Sequence, residues 1–113
     1  MITLNLKREP YWIDLINGVR LFVRPVTTAI IMAARSSVFK ENIEDEIERG
    51  AALIRHLGQL TVTEWEGVGD ADGNLAAVSP EAIAALFDLW PISEAFERLY
   101  LTPALLLEQE KNG

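Results

Sequence analysis

Asn17-Gly18 lies between two short runs of strand-forming residues, 11–16 and 19–23, and constrains the fold more than any other feature of the chain. A two-residue hairpin loop of type I′ needs positive φ at both central positions, which Asn and Gly tolerate best. Val19, Leu21 and Val23 then share one face of the second strand, with Arg20, Phe22 and Arg24 on the other. Phe22 among arginines suggests that this second face is also partly covered. Pro25 has no backbone donor and ends the hairpin. A lone hairpin is marginal in water, so this one needs a third strand, a helix or a partner subunit. Residues 2–6 offer the strand, because Ile2, Leu4 and Leu6 alternate with Thr3 and Asn5.

Helical spacing takes over after Pro25. Thr27 or Thr28 can cap a first helix over 29–38, whose Ile30, Ile31, Ala33, Ala34 and Val38 make it a buried element. Residues 39–42 break it. Asn42 is the expected cap of a second helix, with Glu44, Asp45 and Glu46 in its first turn, where carboxylates complement the helix dipole. Ile43, Ile47, Ala51, Ile54, Leu57 and Thr61 form its apolar stripe. Gly50 and Gly58 each weaken that helix by about 1 kcal/mol relative to Ala, unless they admit a close neighbour. Thr61-Val62-Thr63 lowers helix propensity, so the helix frays or stops before Trp65.

Residues 67–75 form an Asp/Gly loop. Ser79-Pro80-Glu81 then starts a third helix, with a capping hydroxyl, a proline at its first position and an early carboxylate. Its apolar face is Ile83, Leu86, Phe87 and Trp90. Pro91 opens a last segment in which Ile92, Ala95, Phe96, Leu99 and Tyr100 recur at helical spacing, and Pro103 ends or kinks it. The fold read from this order is α+β: an N-terminal antiparallel β-hairpin or small sheet packed on four or five α-helices. It forms a single domain over 1–113, with 1–25 β-rich and 26–113 helical. The alternative is a mostly helical domain whose N-terminal β arm swaps onto a neighbour.

Composition narrows the function by exclusion. A net charge of −7, with ten basic residues in no run, argues against a nucleic-acid partner. The absence of cysteine rules out disulfides and thiolate metal sites. The most apolar window, 28–34, is too short to span a bilayer, and the first ten residues lack the pattern of a signal peptide. The expectation is a cytoplasmic protein without membrane association.

No motif carries chemistry. Asp70, Asp72, Asn74 and Glu81 fall in the register of an EF-hand loop, but Leu75 stands where the sharp turn requires glycine, so a polar turn is expected and no metal. His56 is the single histidine, and catalysis by it would need an orienting carboxylate and a nucleophile that its sequence neighbours do not supply. Neither a phosphate-cradling loop nor a cofactor fingerprint is present, so the chain is expected to have no catalytic residues and no cofactor. The acidic run 41–49 reads as a solvated helix face, or as the rim of a groove for a basic amphipathic segment. The candidates for partner binding are Trp90, Phe96, Tyr100, Leu105, Leu106 and Leu107. Packing of two helices about Pro91 accounts for most of them, but three consecutive leucines cannot share one helix face.

The stretch from Trp65-Glu66-Gly67-Val68 through residues 70–75 and Val78-Ser79-Pro80-Glu81 resembles the tail assembly chaperones of long-tailed phages, prophages and gene transfer agents. Leu86, Phe87, Pro91-Ile92, Phe96, Tyr100 and Glu110-Lys111-Asn112 continue the resemblance, as does the strand-rich start followed by a helix. It implies a non-enzymatic protein that keeps the tail tape measure protein soluble and helps tail tube subunits assemble around it. The marginal hairpin and the run of leucines point to a homo-oligomer in the absence of client. The resemblance also implies a longer product made by ribosomal frameshifting in many such genes. The alternative is a small acidic adaptor or antitoxin-like regulatory partner.

Overall fold

The computed structural model describes residues 1, 3, 4 and 6–103 of the chain. Among them are a three-stranded antiparallel sheet, β1 (Tyr11–Asp14), β2 (Arg20–Val23) and β3 (Val62–Glu66), and four helices, α1 (Thr28–Lys40), α2 (Glu46–Thr61), α3 (Pro80–Phe87) and α4 (Trp90–Phe96). α4 runs on into a π-helical turn over Glu97–Leu101. The fold is α+β.

The hairpin forms as its turn dictates. Asn17 has φ +53° and Gly18 +76°, and Val19 N–H donates to the Ile16 carbonyl at 2.9 Å. The third strand, however, is β3, which pairs with β2 to give the order β1-β2-β3. Of the residues expected to supply it, Leu4 and Leu6 are exposed outside any strand, and Ile2 and Asn5 lie outside the described residues. β3 was hidden because it lacks simple alternation. Phe22 pairs with Glu64 while Val23 pairs with Val62, which leaves Thr63 as an extra, bulged residue. That insertion turns both Val62 and Trp65 inward although they are three positions apart.

The sheet's inner face, with Ile13, Leu21, Val23, Val62 and Trp65, joins Leu57, Ile83, Leu86 and Phe96 in one buried cluster. Its outer face carries two cross-strand rows, Trp12–Phe22–Glu64 and Asp14–Arg20–Glu66. Phe22 is half-buried because the Trp12 ring lies 5.1 Å away across the pair, not because a further layer covers it. Arg20 ties the second row together, donating to Asp14 at 2.6 Å and Glu66 at 3.1 Å while lying over the Trp12 ring.

Several helix boundaries differ from their sequence expectation. Thr27 caps α1 by accepting from Ile30 N–H at 3.1 Å, but the helix is only half-buried: Ala34 and Val38 are covered, whereas Met32, Ala33 and Phe39 are exposed. Asn42 does not cap α2. It takes the left-handed conformation just past α1, a place Asn tolerates. Asp45 is the cap, accepting from Glu48 N–H at 3.2 Å, and Arg49 turns back to the Ile43 and Glu44 carbonyls instead of pairing with Asp45 or Glu46. The α2 stripe is rotated accordingly. Ala52, Leu57, Gly58 and Thr61 are buried, while Ile47 and Ala51 face solvent. At Gly58 a Cβ would lie 2.7 Å from the Phe87 ring, so the glycine admits α3 against α2. Gly50 has no such neighbour.

Ser79 caps α3, accepting from Ala82 N–H at 3.0 Å, with Pro80 at the first helical position. Ser79→Ala is expected to lower stability by about 1 kcal/mol, read as a shift in the urea midpoint with an unchanged slope.

Candidate partner-binding surface

The sequence candidates separate into three groups. Phe96 is completely buried and Tyr100 nearly so. Phe96 is edge-on to Phe87 at 4.8 Å and stacked on Tyr100 at 4.8 Å. Tyr100 O–H donates to the Arg24 carbonyl at 2.5 Å, and Arg24 N–H donates to the Thr61 carbonyl at 2.9 Å, so this aromatic pair locks the last helix onto the ends of β2 and α2. Burial pushes the Tyr100 phenol well above its ordinary range. Both rings are core residues, and neither can meet a client without opening the fold. Trp90 is the exception, with 69% of its surface exposed. Leu105, Leu106 and Leu107 lie outside the described residues.

Trp90 is outside for a local reason. Pro91 starts α4 tightly after α3, with Leu89 as the cap residue, and the Ile92 and Ser93 N–H groups both donate to the Leu89 carbonyl. The Ser93 hydroxyl donates back to the Phe87 carbonyl at the end of α3, inside the corner. Leu89 and Trp90 then stand at the apex and are both exposed. Immediately before them, Phe87 and Asp88 help line an open groove of about 510 Å³ between α2 and α3. Ala51, Ala52, Ala84 and Ala85 line its sides, and its charged lining residues are Glu48, Asp88 and Arg55. Small side chains permit close approach of another backbone, as helix–helix packing requires. Exposed Leu89 and Ile47 were missed by sequence reading because each falls at helical spacing with core residues.

His56 has a carboxylate partner after all, supplied from across the fold. Its Nε2 lies 2.8 Å from Glu41 Oε2, and Arg55 donates to both oxygens of the same carboxylate at 2.8 and 2.9 Å. Among the described residues no hydroxyl joins the pair, so the arrangement fastens the end of α1 to α2. It holds the Glu41 carboxyl below its ordinary pKa, first through the His56 hydrogen bond. A carboxylate with a depressed folded value contributes stability that is present above the unfolded value and lost as pH falls through the folded one. Glu41→Gln is therefore expected to be less stable than the parent near neutrality, with the difference closing in acid below pH about 4 when melts are compared across pH.

The 70–75 loop is explained by its own backbone. Asp70 Oδ1 accepts from Asp72 N–H at 2.9 Å and Asn74 N–H at 3.0 Å, Gly73 takes φ +82°, and Gly69 bridges Leu75. Trp65 Nε1–H donates to the Ala76 carbonyl at 2.8 Å, which pins the loop to β3. Among the described residues no group of three or more His, Cys, Asp or Glu side chains is placed to hold a metal ion. No helix among them is long and apolar enough to cross a membrane.

Comparison with protein-family models, with curated proteins and with solved structures finds no match to this chain.

Proposed function

We propose that this chain is a non-enzymatic tail assembly chaperone of the phage, prophage or gene-transfer-agent type. It binds the tape measure protein in the host cytoplasm and keeps it soluble until tail tube subunits enclose it. The observation that supports the reading is the exposed Leu89–Trp90 corner, which in the chain directly follows Phe87 and Asp88 of the alanine-lined groove between α2 and α3. A tape measure helix presents apolar stripes that aggregate unless covered, and a groove walled by small apolar side chains is the form of surface that receives an amphipathic helix. Of the charged lining residues Arg55 is paired with Glu41, so Glu48 and Asp88 favour a helix with basic flanks. In this role Phe96 and Tyr100 hold the corner in place, and Trp90 makes the contact. Self-association through the same exposed surface gives homo-oligomers when client is absent.

Co-expression with a tape measure protein tests the reading. The chaperone role requires a larger soluble fraction of that protein and its co-purification with this chain. No gain in solubility together with no co-purification sinks it.

A further inference from the structure

We propose that two copies of this chain pair antiparallel through α2, the bare first turns of each helix filling a groove between α1 and α2 of the other. Glu46, Gly50, Leu53 and Leu57 lie along one line of α2, at steps of four, three and four. The line changes character halfway. Leu57 is buried and Leu53 half-buried, and both line a groove of about 580 Å³ whose other walls include Ile31 and Met32 of α1. Residues 46–51, in contrast, are all exposed. Ile47 has 83% of its surface open and Met32, on the groove wall, 63%. A two-fold axis near residues 51 and 52 lays the bare half of each helix along the groove half of the other. Gly50 then meets Leu53 of the second copy, and Glu46 meets its Leu57.

Gly50 and the charges single out a second copy as the occupant. Glycine weakens a helix interior, and a Cβ at Gly50 would meet nothing within 4 Å, so no contact inside the chain accounts for it. Between two antiparallel helices it lets the axes come close, as Gly58 does for α3. The groove is also cationic, with Arg8 and Arg35 in its lining, whereas the end of α2 that enters it carries Glu44 and Glu46. Neither Arg35 nor Glu46 has an ion-pair partner among the described residues. In the pair each Glu46 comes to Arg35 of the other copy, twice by symmetry. A chain of net charge −7 repels its own copies on average, so this local match sets which faces meet. The inference does not depend on the chaperone reading, which uses the groove between α2 and α3 and the Leu89–Trp90 corner.

Sedimentation velocity on the full chain tests it, with Trp90→Ala in every sample so that association through the corner does not contribute. The expected species is a dimer at micromolar concentration. Gly50→Gln is expected to give monomers with an unchanged circular dichroism spectrum, because its side chain meets nothing inside the chain and favours helix. Arg35→Glu and Glu46→Arg are each expected to weaken the dimer about tenfold, since an exposed pair turns from attraction to repulsion at both ends of the contact. Mixed in equal amounts, these two variants should pair again, because every contact between them joins opposite charges. A monomeric Trp90→Ala chain overturns the proposal. So does a dimer that Gly50→Gln leaves intact, or a mixture that pairs no better than either charge variant alone.

Discussion

Phe96→Ala is expected to destabilise the chain by about 3–5 kcal/mol, the cost of emptying a fully buried aromatic site. Phe96 has no exposed surface and touches Phe87 on one side and Tyr100 on the other, so its loss removes two ring contacts as well as its own burial. Domains of this kind hold only about 5–15 kcal/mol of stability, so the variant should melt far below the parent or fail to accumulate. The neighbouring apex gives the contrast. Trp90→Ala removes a larger ring from a mostly exposed position and should move stability by no more than about 0.5 kcal/mol. Chemical denaturation of the two variants in parallel checks both halves. A Phe96→Ala midpoint close to that of the parent would contradict the core described here.

The second large effect comes from Gly67→Ala. Gly67 has φ +79°, and a Cβ there would stand 2.2 Å from the Gly18 carbonyl oxygen. The left-handed conformation alone costs an L-residue about 1–2 kcal/mol. The overlap is with backbone, which no rotamer change relieves, so the end of β3 or the hairpin turn must move. We expect a total loss of about 3 kcal/mol or more, measured by urea titration. Gly18→Ala, which meets nothing within 4 Å, should show only the conformational cost. The comparison separates strain from collision.

Legibility in the sequence followed physical locality. The β-hairpin was readable because Asn17-Gly18 sets its own turn, and the Ser79 cap because its hydroxyl reaches a donor only three residues on. The α2 boundary was misplaced by three residues because Asn42 and Asp45 are both competent caps, and only the left-handed backbone at Asn42 decides between them. β3 escaped because a bulge at Thr63 breaks the period of two. The Glu41–Arg55–His56 cluster escaped because its partners are fourteen and fifteen residues apart and meet only once α1 and α2 pack. For the candidate surface, Trp90, Phe96 and Tyr100 look alike at helical spacing. Pro91 and the Ser93 hydroxyl settle which ring turns outward, and neither effect is visible in apolar periodicity.

The most direct test of the account is the affinity of the full chain for a helical segment of the tape measure protein, measured with Trp90→Ala beside the parent. A central aromatic anchor contributes roughly 2 kcal/mol or more to such an interface. The account therefore predicts binding weakened by about thirtyfold in Trp90→Ala, at a melting temperature equal to that of the parent. Equal affinity of the two proteins for that helix, or no binding by either, would contradict it.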